Sequence, residues 1–436
     1  MQNWREKLIT AEAAAAKIQS GYRVFLTGNS STPLAFNEAL FARAHELREV
    51  ELVQILSMGK PMPLLDESLE GHIRVNSLFL DHNVRPAVNK GYADFTPVFL
   101  SDIPHLFRSG RLVLDAAVVH LSPPDEHGFC SYGVEVGVTK SAAESAGMVI
   151  ALINEHMPRT LGDSFIHVNQ IDYLVEANDP LPEIKAPPPS DLQNQIAEYI
   201  AEVIPDGATL QTGIGGIPDA VLRCLTNHKN LGIHTELFSD GVMEMINAGV
   251  ITNAAKTIHT GKVVAGFVLG TQNLFNYIND NPIIEMHPTE YVNDPFIISQ
   301  NDKMISINSA IEVDLTGQVC AASIGHRFYS GVGGQLDFVR GARRSKEGKA
   351  IIALPSTAKD GALSRIVGSL KTGADVTTTR NDVQFVATEY GIVDLYGRSI
   401  SERVHALISI AHPDYREELD RFAHETYKIR HIFPVS

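Results

Sequence analysis

Cysteine is scarce in this 436-residue chain: Cys130, Cys224 and Cys320 lie far apart, odd in number and without a CxxC pair. That pattern provides neither a disulfide framework nor a cysteine zinc site, and reads as reduced, packed thiols. Long apolar runs are missing as well. The opening "MQNWREKLITAEAAAAKIQSG" mixes charges with a helical pattern where a signal peptide would carry an apolar core, and no later run approaches the length of a bilayer span. A membrane partner is not expected, and the chain is placed in the cytoplasm. Basic charge is also short: 36 Lys and Arg against 51 Asp and Glu leave a net −15, which opposes nucleic acid and anionic lipid. The seventeen histidines show no HExxH spacing, so no metal ligand set is expected; His234, His259, His287 and His326 read as structural.

What is present is a globular composition, 44% hydrophobic and 20% charged, in a chain long enough for two or three cores. The clearest break is "NDPLPEIKAPPPSD", residues 178–191, whose five prolines preclude a regular helix or central strand. We divide the chain there into residues 1–183, a proline-rich linker at 184–190, and residues 191–436. After the break, Leu192, Ile196, Ile200 and Ile204 fall at helical spacing. The segment "EKLITAEAAAAKIQ" takes the equivalent place, as a helix, in the first half.

Other landmarks repeat in the same order. Thr27, Gly28 and Pro33 match Thr212, Gly213 and Pro218 at a constant offset of 185, and Ser57 and Gly59 match Ser239 and Gly241 at 182. In that register Gln54 corresponds to Glu236. "HGFCSYGVEVG" around Ser131 and "HRFYSGVGGQLDF" around Ser330 are each followed by a strand-like run, "GMVIALI" and "KAIIALP". Strands alternating with helices imply βα units, so we expect an α/β protein: two related, doubly wound domains with mostly parallel sheets. Ligands of such sheets sit beyond the carboxyl ends of the strands, which puts the site in the cleft between the halves.

Two glycine clusters and one carboxylate fall on that rim. "QTGIGGIPD" (211–219) joins a strand to a helix and can expose backbone N–H groups to an anion, although such glycines also serve a tight turn with no ligand. It lacks the third glycine of a dinucleotide fingerprint and the GK[ST] of a Walker loop. "YSGVGGQLDF" repeats the theme at Gly331, Gly333 and Gly334. Glu236 sits in "GIHTELFSDG", inside an apolar run near a strand end where carboxylates are unusual. Glu285, Glu389, Asp125 and Glu126 are its rivals. Its place after the glycine turn, opposite an uncharged Gln54, suggests one active carboxylate per chain.

Taken together, "SPPDEHGFCSYG", "LQTGIGGIPDAVL", "GIHTELFSDG", "YSGVGGQLDF" and "ATEYGIVDLYGRS" resemble the acetyl-CoA hydrolase/transferase family of CoA-transferases, over nearly the whole chain and with most likeness to its 4-hydroxybutyrate group. The resemblance implies that Glu236 is the nucleophile. It also implies coenzyme A contacts at Gln211, Thr212, Gly213, Ile214, Gly215, Ile311, Gly334 and Lys359, with Gly216 and Gly333 as further oxyanion donors. The expected substrates are acyl-CoA and a short-chain carboxylate, with no tightly bound cofactor and no metal, in a homo-oligomer. The expected reaction moves CoA from acetyl-CoA to an acid of the 4-hydroxybutyrate or butyrate type, through a glutamyl anhydride and a glutamyl-CoA thioester. An acyl-CoA hydrolase and a non-catalytic small-molecule-binding module are the alternatives.

Overall fold

The apolar runs of each half form strands, and nearly all of them pair in parallel, as expected where helical segments return the chain over the sheet. Residues 4–213 and 215–429 are described by a computed structural model; Ile214 of the first glycine turn lies outside them. One eight-stranded sheet runs, in spatial order, Leu8–Ile9, Tyr173–Ala177, Val149–Asn154, Ala116–Leu121, Arg23–Leu26, Val50–Ile55, Ile73–Phe79, Asp94–Phe95. A nine-stranded sheet runs Gly391–Asp394, Phe385–Thr388, Lys349–Ala353, Met304–Ser309, Thr209–Thr212, Gly232–Phe238, Val263–Val268, Ile284–Met286, Leu161–Gly162. Gly391–Asp394 pairs antiparallel with its neighbour. The strands Ala116–Leu121, Val149–Asn154 and Val263–Val268 are buried at every residue, which requires apolar cover on both faces.

The order of strands repeats between the sheets. Arg23–Leu26 lies between Ala116–Leu121 and Val50–Ile55, and Thr209–Thr212 lies in the same way between Met304–Ser309 and Gly232–Phe238. The winding reverses at these two strands, and the crevice at such a reversal is where α/β sheets hold ligands. Gln54 and Glu236 occupy corresponding strands, as their alignment implied.

Three features depart from the sequence pattern. The first segment is not one helix: Leu8–Ile9 is a strand paired with Leu174 and Val175, and Thr10 then caps a short helix, Ala11–Ala15, by accepting from the Ala13 N–H. A vacant edge beside Tyr173–Ala177 outweighs local helix propensity there. The second glycine cluster does not end a strand of the sheet; it follows the small hairpin Ser323–Ile324/Arg327–Phe328 and opens the helix Gln335–Arg344. Finally, Leu161–Gly162, from the first half, closes the edge of the second sheet opposite Glu285 and Met286. At Gly162 the backbone has φ +96°, and an added Cβ would lie 2.6 Å from the Met286 carbonyl oxygen, so only glycine fits.

The proline-rich residues 178–190 carry no helix or strand. Ser190 then caps Asp191–Glu202 reciprocally with Gln193, and the helix buries Ile196, Ala197 and Ile200.

The crossing strand is pinned by Ser131. Its fully buried hydroxyl accepts from the N–H groups of Gly133 and Thr160, each at 3.0 Å, and donates to the Thr160 carbonyl at 3.0 Å. Ser131→Ala leaves two buried N–H groups without acceptors and is expected to cost about 2 to 4 kcal/mol. Urea denaturation checks this, as a lower midpoint with an unchanged slope.

Candidate active site

Glu236 lies near the carboxyl end of Gly232–Phe238, where that strand and Thr209–Thr212 part company. Their ladder contains the pairs Thr209 with Gly232 and Leu210 with Ile233. Beyond it, the Thr235 hydroxyl donates to the Thr212 carbonyl at 3.1 Å, so a side chain holds the strands together one residue before the carboxylate. Glu236 faces a cavity of about 60 Å³ between the halves. Asn29, Ile55, Leu56, Phe79, Leu100, Glu135 and Val138 line it from the first half, and Phe267, Thr289 and Gly333 from the second.

One amide holds the carboxylate. Asn293 Nδ2 donates to Glu236 Oε2 at 2.9 Å and lies 3.5 Å from Asp337 Oδ2. Asn293 follows the helix Thr289–Val292, which is fixed at two points: His234 Nε2 bonds the Val292 carbonyl at 2.9 Å, and the Tyr291 hydroxyl bonds His259 Nε2 at 2.6 Å. Burial pushes His234 down to about 3, so it is a neutral ring with a structural task. Asp337, on Gln335–Arg344, accepts from the Ser101 N–H at 3.2 Å and from its hydroxyl at 2.8 Å, tying that helix to the first half.

Burial raises the Glu236 carboxyl above its ordinary value, against the opposing pull of the Asn293 hydrogen bond. Asp337 is pushed up to about 7, first by burial and further by the neighbouring Glu236 charge, although the Ser101 bonds favour its ionised form. Glu135 is 2% exposed and pushed up to about 8 by burial, with the Asn29 amide, which donates to its Oε2, pulling the other way. The site therefore destabilises carboxylate charge while solvating Glu236 with a single oriented amide, an arrangement that favours a reactive carboxylate over a hydrated one.

Glycine makes this proximity possible. A Cβ on Gly334 would lie 2.0 Å from Glu236 Oε2 and 2.1 Å from Asn293 Nδ2. Gly333 has φ +56°, pairs with Phe99 across the halves and accepts from the Leu100 N–H at 3.0 Å. The second glycine cluster thus packs against Glu236 and narrows the cleft beside it.

The other residues singled out from the sequence are more scattered. Gln211 pairs its side-chain amide with Asn308, and Thr212 is buried beside Thr235. Gly213 and Gly215, the latter at φ +130°, form the turn into the helix Gly216–Cys224. Gly216 packs against Gln193, where a Cβ would come within 2.0 Å of its side chain. Ile311 donates its N–H to the Cys320 carbonyl, and Lys359 is exposed in the hairpin formed by Thr357–Ala358 and Leu363–Ser364. No hydrogen bond joins either of them to Glu236 among the described residues. Asn293, Asp337, Ser101, Asn29 and Glu135 were not anticipated. For Glu135 a signal existed: "GVEVG" sets a carboxylate among apolar residues, as "IHTELF" does.

One group with metal-ligating side chains lies together among the described residues: His259, Glu285 and His287, with ligand atoms within 4.8 Å of one another. HExxH spacing could not reveal it, because Glu285 and His287 lie two residues apart on one segment and His259 comes from another. His259 Nδ1 bonds Glu285 at 2.6 Å while its Nε2 meets Tyr291, so both ring nitrogens serve a network that braces the Asn293 helix.

A half-buried carboxylate near a strand end, facing a cleft between two doubly wound sheets, suits an acyl-group-handling enzyme of the CoA-transferase type. The comparisons agree. Residues 1–184 match the acetyl-CoA hydrolase/transferase N-terminal domain, and residues 270–423 match the acetyl-CoA hydrolase/transferase C-terminal domain; the chain belongs to this family. It is 51% identical over 416 residues to 4-hydroxybutyrate coenzyme A transferase of Clostridium kluyveri, covering 95% of this chain and 97% of that one. It is 46% identical to succinyl-CoA:acetate/propanoyl-CoA:succinate CoA transferase of Fasciola hepatica, covering 94% and 86%. Among solved structures, 4-hydroxybutyrate CoA-transferase from Porphyromonas gingivalis superimposes with a TM-score of 0.84 at 39% identity, covering 97% and 98%. The chain is an enzyme, with acyl-CoA as its substrate class. No described helix is long and apolar enough to cross a membrane.

Two outcomes follow from this geometry. Gly334→Ala is expected to displace the Glu236 carboxylate and lower kcat/KM for CoA transfer by about a hundredfold. Steady-state kinetics check this, with circular dichroism to confirm folding. The second concerns pH. For a buried acid such as Glu135, the unfolded chain releases its proton near pH 4.5 while the folded chain holds it to about 8, so stability falls as pH rises through that window. Glu135→Gln removes the effect. Urea midpoints should show the variant gaining on the parent between pH 5 and pH 8.5, by on the order of a few kcal/mol.

Proposed function

We propose that the chain transfers CoA between acetyl-CoA and a short-chain carboxylate of the 4-hydroxybutyrate or butyrate type by a ping-pong route through Glu236. The observation that carries the reading is the Glu236 carboxylate, held on Asn293 and facing the small cavity between the halves.

In the first step a Glu236 oxygen attacks the thioester carbonyl, the C–S bond breaks, and CoA leaves as thiolate from a mixed anhydride. The thiolate then attacks the Glu236 carbonyl of that anhydride, forming a glutamyl-CoA thioester and releasing the donor acid as carboxylate. The acceptor acid runs the two steps in reverse. Each step exchanges one acyl bond for another, so no electron acceptor and no net proton is needed.

The charge that develops on the carbonyl oxygen calls for amide donors. Of the second glycine cluster, Gly334 is the nearer candidate, because it abuts Glu236 while the Gly333 backbone pairs with Phe99. Losing a donor of this kind typically costs about 3 to 4 kcal/mol of barrier. The turn from Gln211 to Gly216, with Ile311 and Lys359 farther out, would hold the CoA moiety, whose binding can be spent on driving the thioester into the cleft. Hydrolysis is the second reading; the apolar lining of the cavity beside Glu236 offers few partners to the water that would destroy an anhydride.

Glu236→Ala is expected to abolish transfer from acetyl-CoA to butyrate, by at least about 10⁴-fold. Glu236→Asp, with its carboxylate retracted, should lower transfer strongly. Thiol release that depends on added carboxylate supports a transferase; equal release without it supports a hydrolase.

A further inference from the structure

We infer that Glu135, Asn29 and Thr289 form a polar subsite at the acyl end of the Glu236 cavity, which selects short acids carrying a hydroxyl over their plain counterparts. The inference rests on the transferase reading and specifies the substrate class for that site.

All three residues line the cavity that Glu236 faces, and the rest of its wall is Ile55, Leu56, Phe79, Leu100, Val138, Phe267 and the Gly333 backbone. An acyl chain entering from Glu236 therefore meets hydrocarbon everywhere except at this group. Two of its polar atoms are idle: Asn29 Oδ1 and Thr289 Oγ1 are buried without a hydrogen-bond partner among the described residues. Buried polar atoms left in that condition are costly, and a ligand group that pairs with them recovers the cost. The third member, Glu135, is turned toward them by the bond that Asn29 Nδ2 donates to its Oε2.

The backbone holds Glu135 there. The Val136 and Gly137 N–H groups both donate to the Gly266 carbonyl, at 3.2 and 3.0 Å, on the strand next to that of Glu236. A Cβ on Gly137 would lie 2.7 Å from Glu135 Oε1, so the glycine leaves room for the carboxyl group. The Thr289 N–H donates to the Gly137 carbonyl at 3.1 Å, which docks the threonine against the same loop. These contacts fix the cluster from both halves of the chain.

Donors and acceptors suit a hydroxyl. Asn29 Oδ1 can accept only, whereas the Thr289 hydroxyl and a protonated Glu135 can both donate and accept. A substrate hydroxyl can give its proton to one and accept from another, while a second carboxylate on the substrate would meet the Glu135 carboxyl group and an amide oxygen.

The test uses the intact enzyme with acetyl-CoA as donor and two matched pairs of acceptors, 4-hydroxybutyrate with butyrate and 3-hydroxypropionate with propionate. The parent is expected to prefer the hydroxy acid of each pair in kcat/KM. In Thr289→Val and in Glu135→Met the ratio of hydroxy to plain acid is expected to fall at least tenfold. A ratio that stays within twofold of the parent in either folded variant overturns the inference, including the case where activity on both acids drops alike. If Glu135→Met does not fold, Thr289→Val decides alone. A parent that transfers CoA to none of the four acids would instead defeat the transferase reading.

Discussion

The site depends on the absence of a side chain at position 334. Because Gly334 offers only a hydrogen, the helix Gln335–Arg344 can press its start against Glu236 and Asn293 at distances where any Cβ would collide. That close approach leaves the Glu236 carboxylate half-buried and limits the water around it. The energetic result is visible in the neighbouring acids. Glu236, Glu135 and Asp337 are all held above the ordinary carboxylate range, chiefly by burial. The protein bears that penalty at neutral pH in a place where it serves chemistry, and secures it with hydrogen bonds that reach across both halves.

The two sheets contribute unequally. The order of their central strands is the same, yet the first half presents Gln54 where the second presents Glu236. Gln54 is 2% exposed, and its Nε2 has no partner among the described residues. The duplicated scaffold thus presents one carboxylate at this position, and the first half supplies the wall opposite it: Asn29, Phe79, Leu100 and Glu135. Variation on that wall can alter the acid accepted without touching Glu236 or Asn293, which fits relatives whose names range from 4-hydroxybutyrate to succinyl transfer.

Much of this was legible before any coordinates. Strand and helix alternation specified parallel sheets, the offsets of 185 and 182 residues exposed the repeat, and a glutamate inside an apolar strand pointed to the candidate site. What stayed hidden arises from contacts between distant segments. Asn293 looks like an ordinary residue after a short helix, and Asp337 like a helix-start acid; their meeting at Glu236 is set by packing that no local pattern encodes. Leu8–Ile9 and Leu161–Gly162 were missed for a related reason. Two-residue edge strands have no periodicity of their own, and form because a neighbouring strand presents unpaired backbone. The His259, Glu285 and His287 group follows the same logic: packing brings His259 to the neighbouring pair Glu285 and His287, and the network braces the helix before Asn293.

The central claim is that Glu236 carries CoA covalently, and mass spectrometry of the enzyme after exposure to acetyl-CoA alone tests it most directly. The account predicts CoA attached to the peptide that contains Glu236, removed when an acceptor carboxylate is added. An active enzyme whose Glu236 peptide remains unmodified under the same conditions would contradict it.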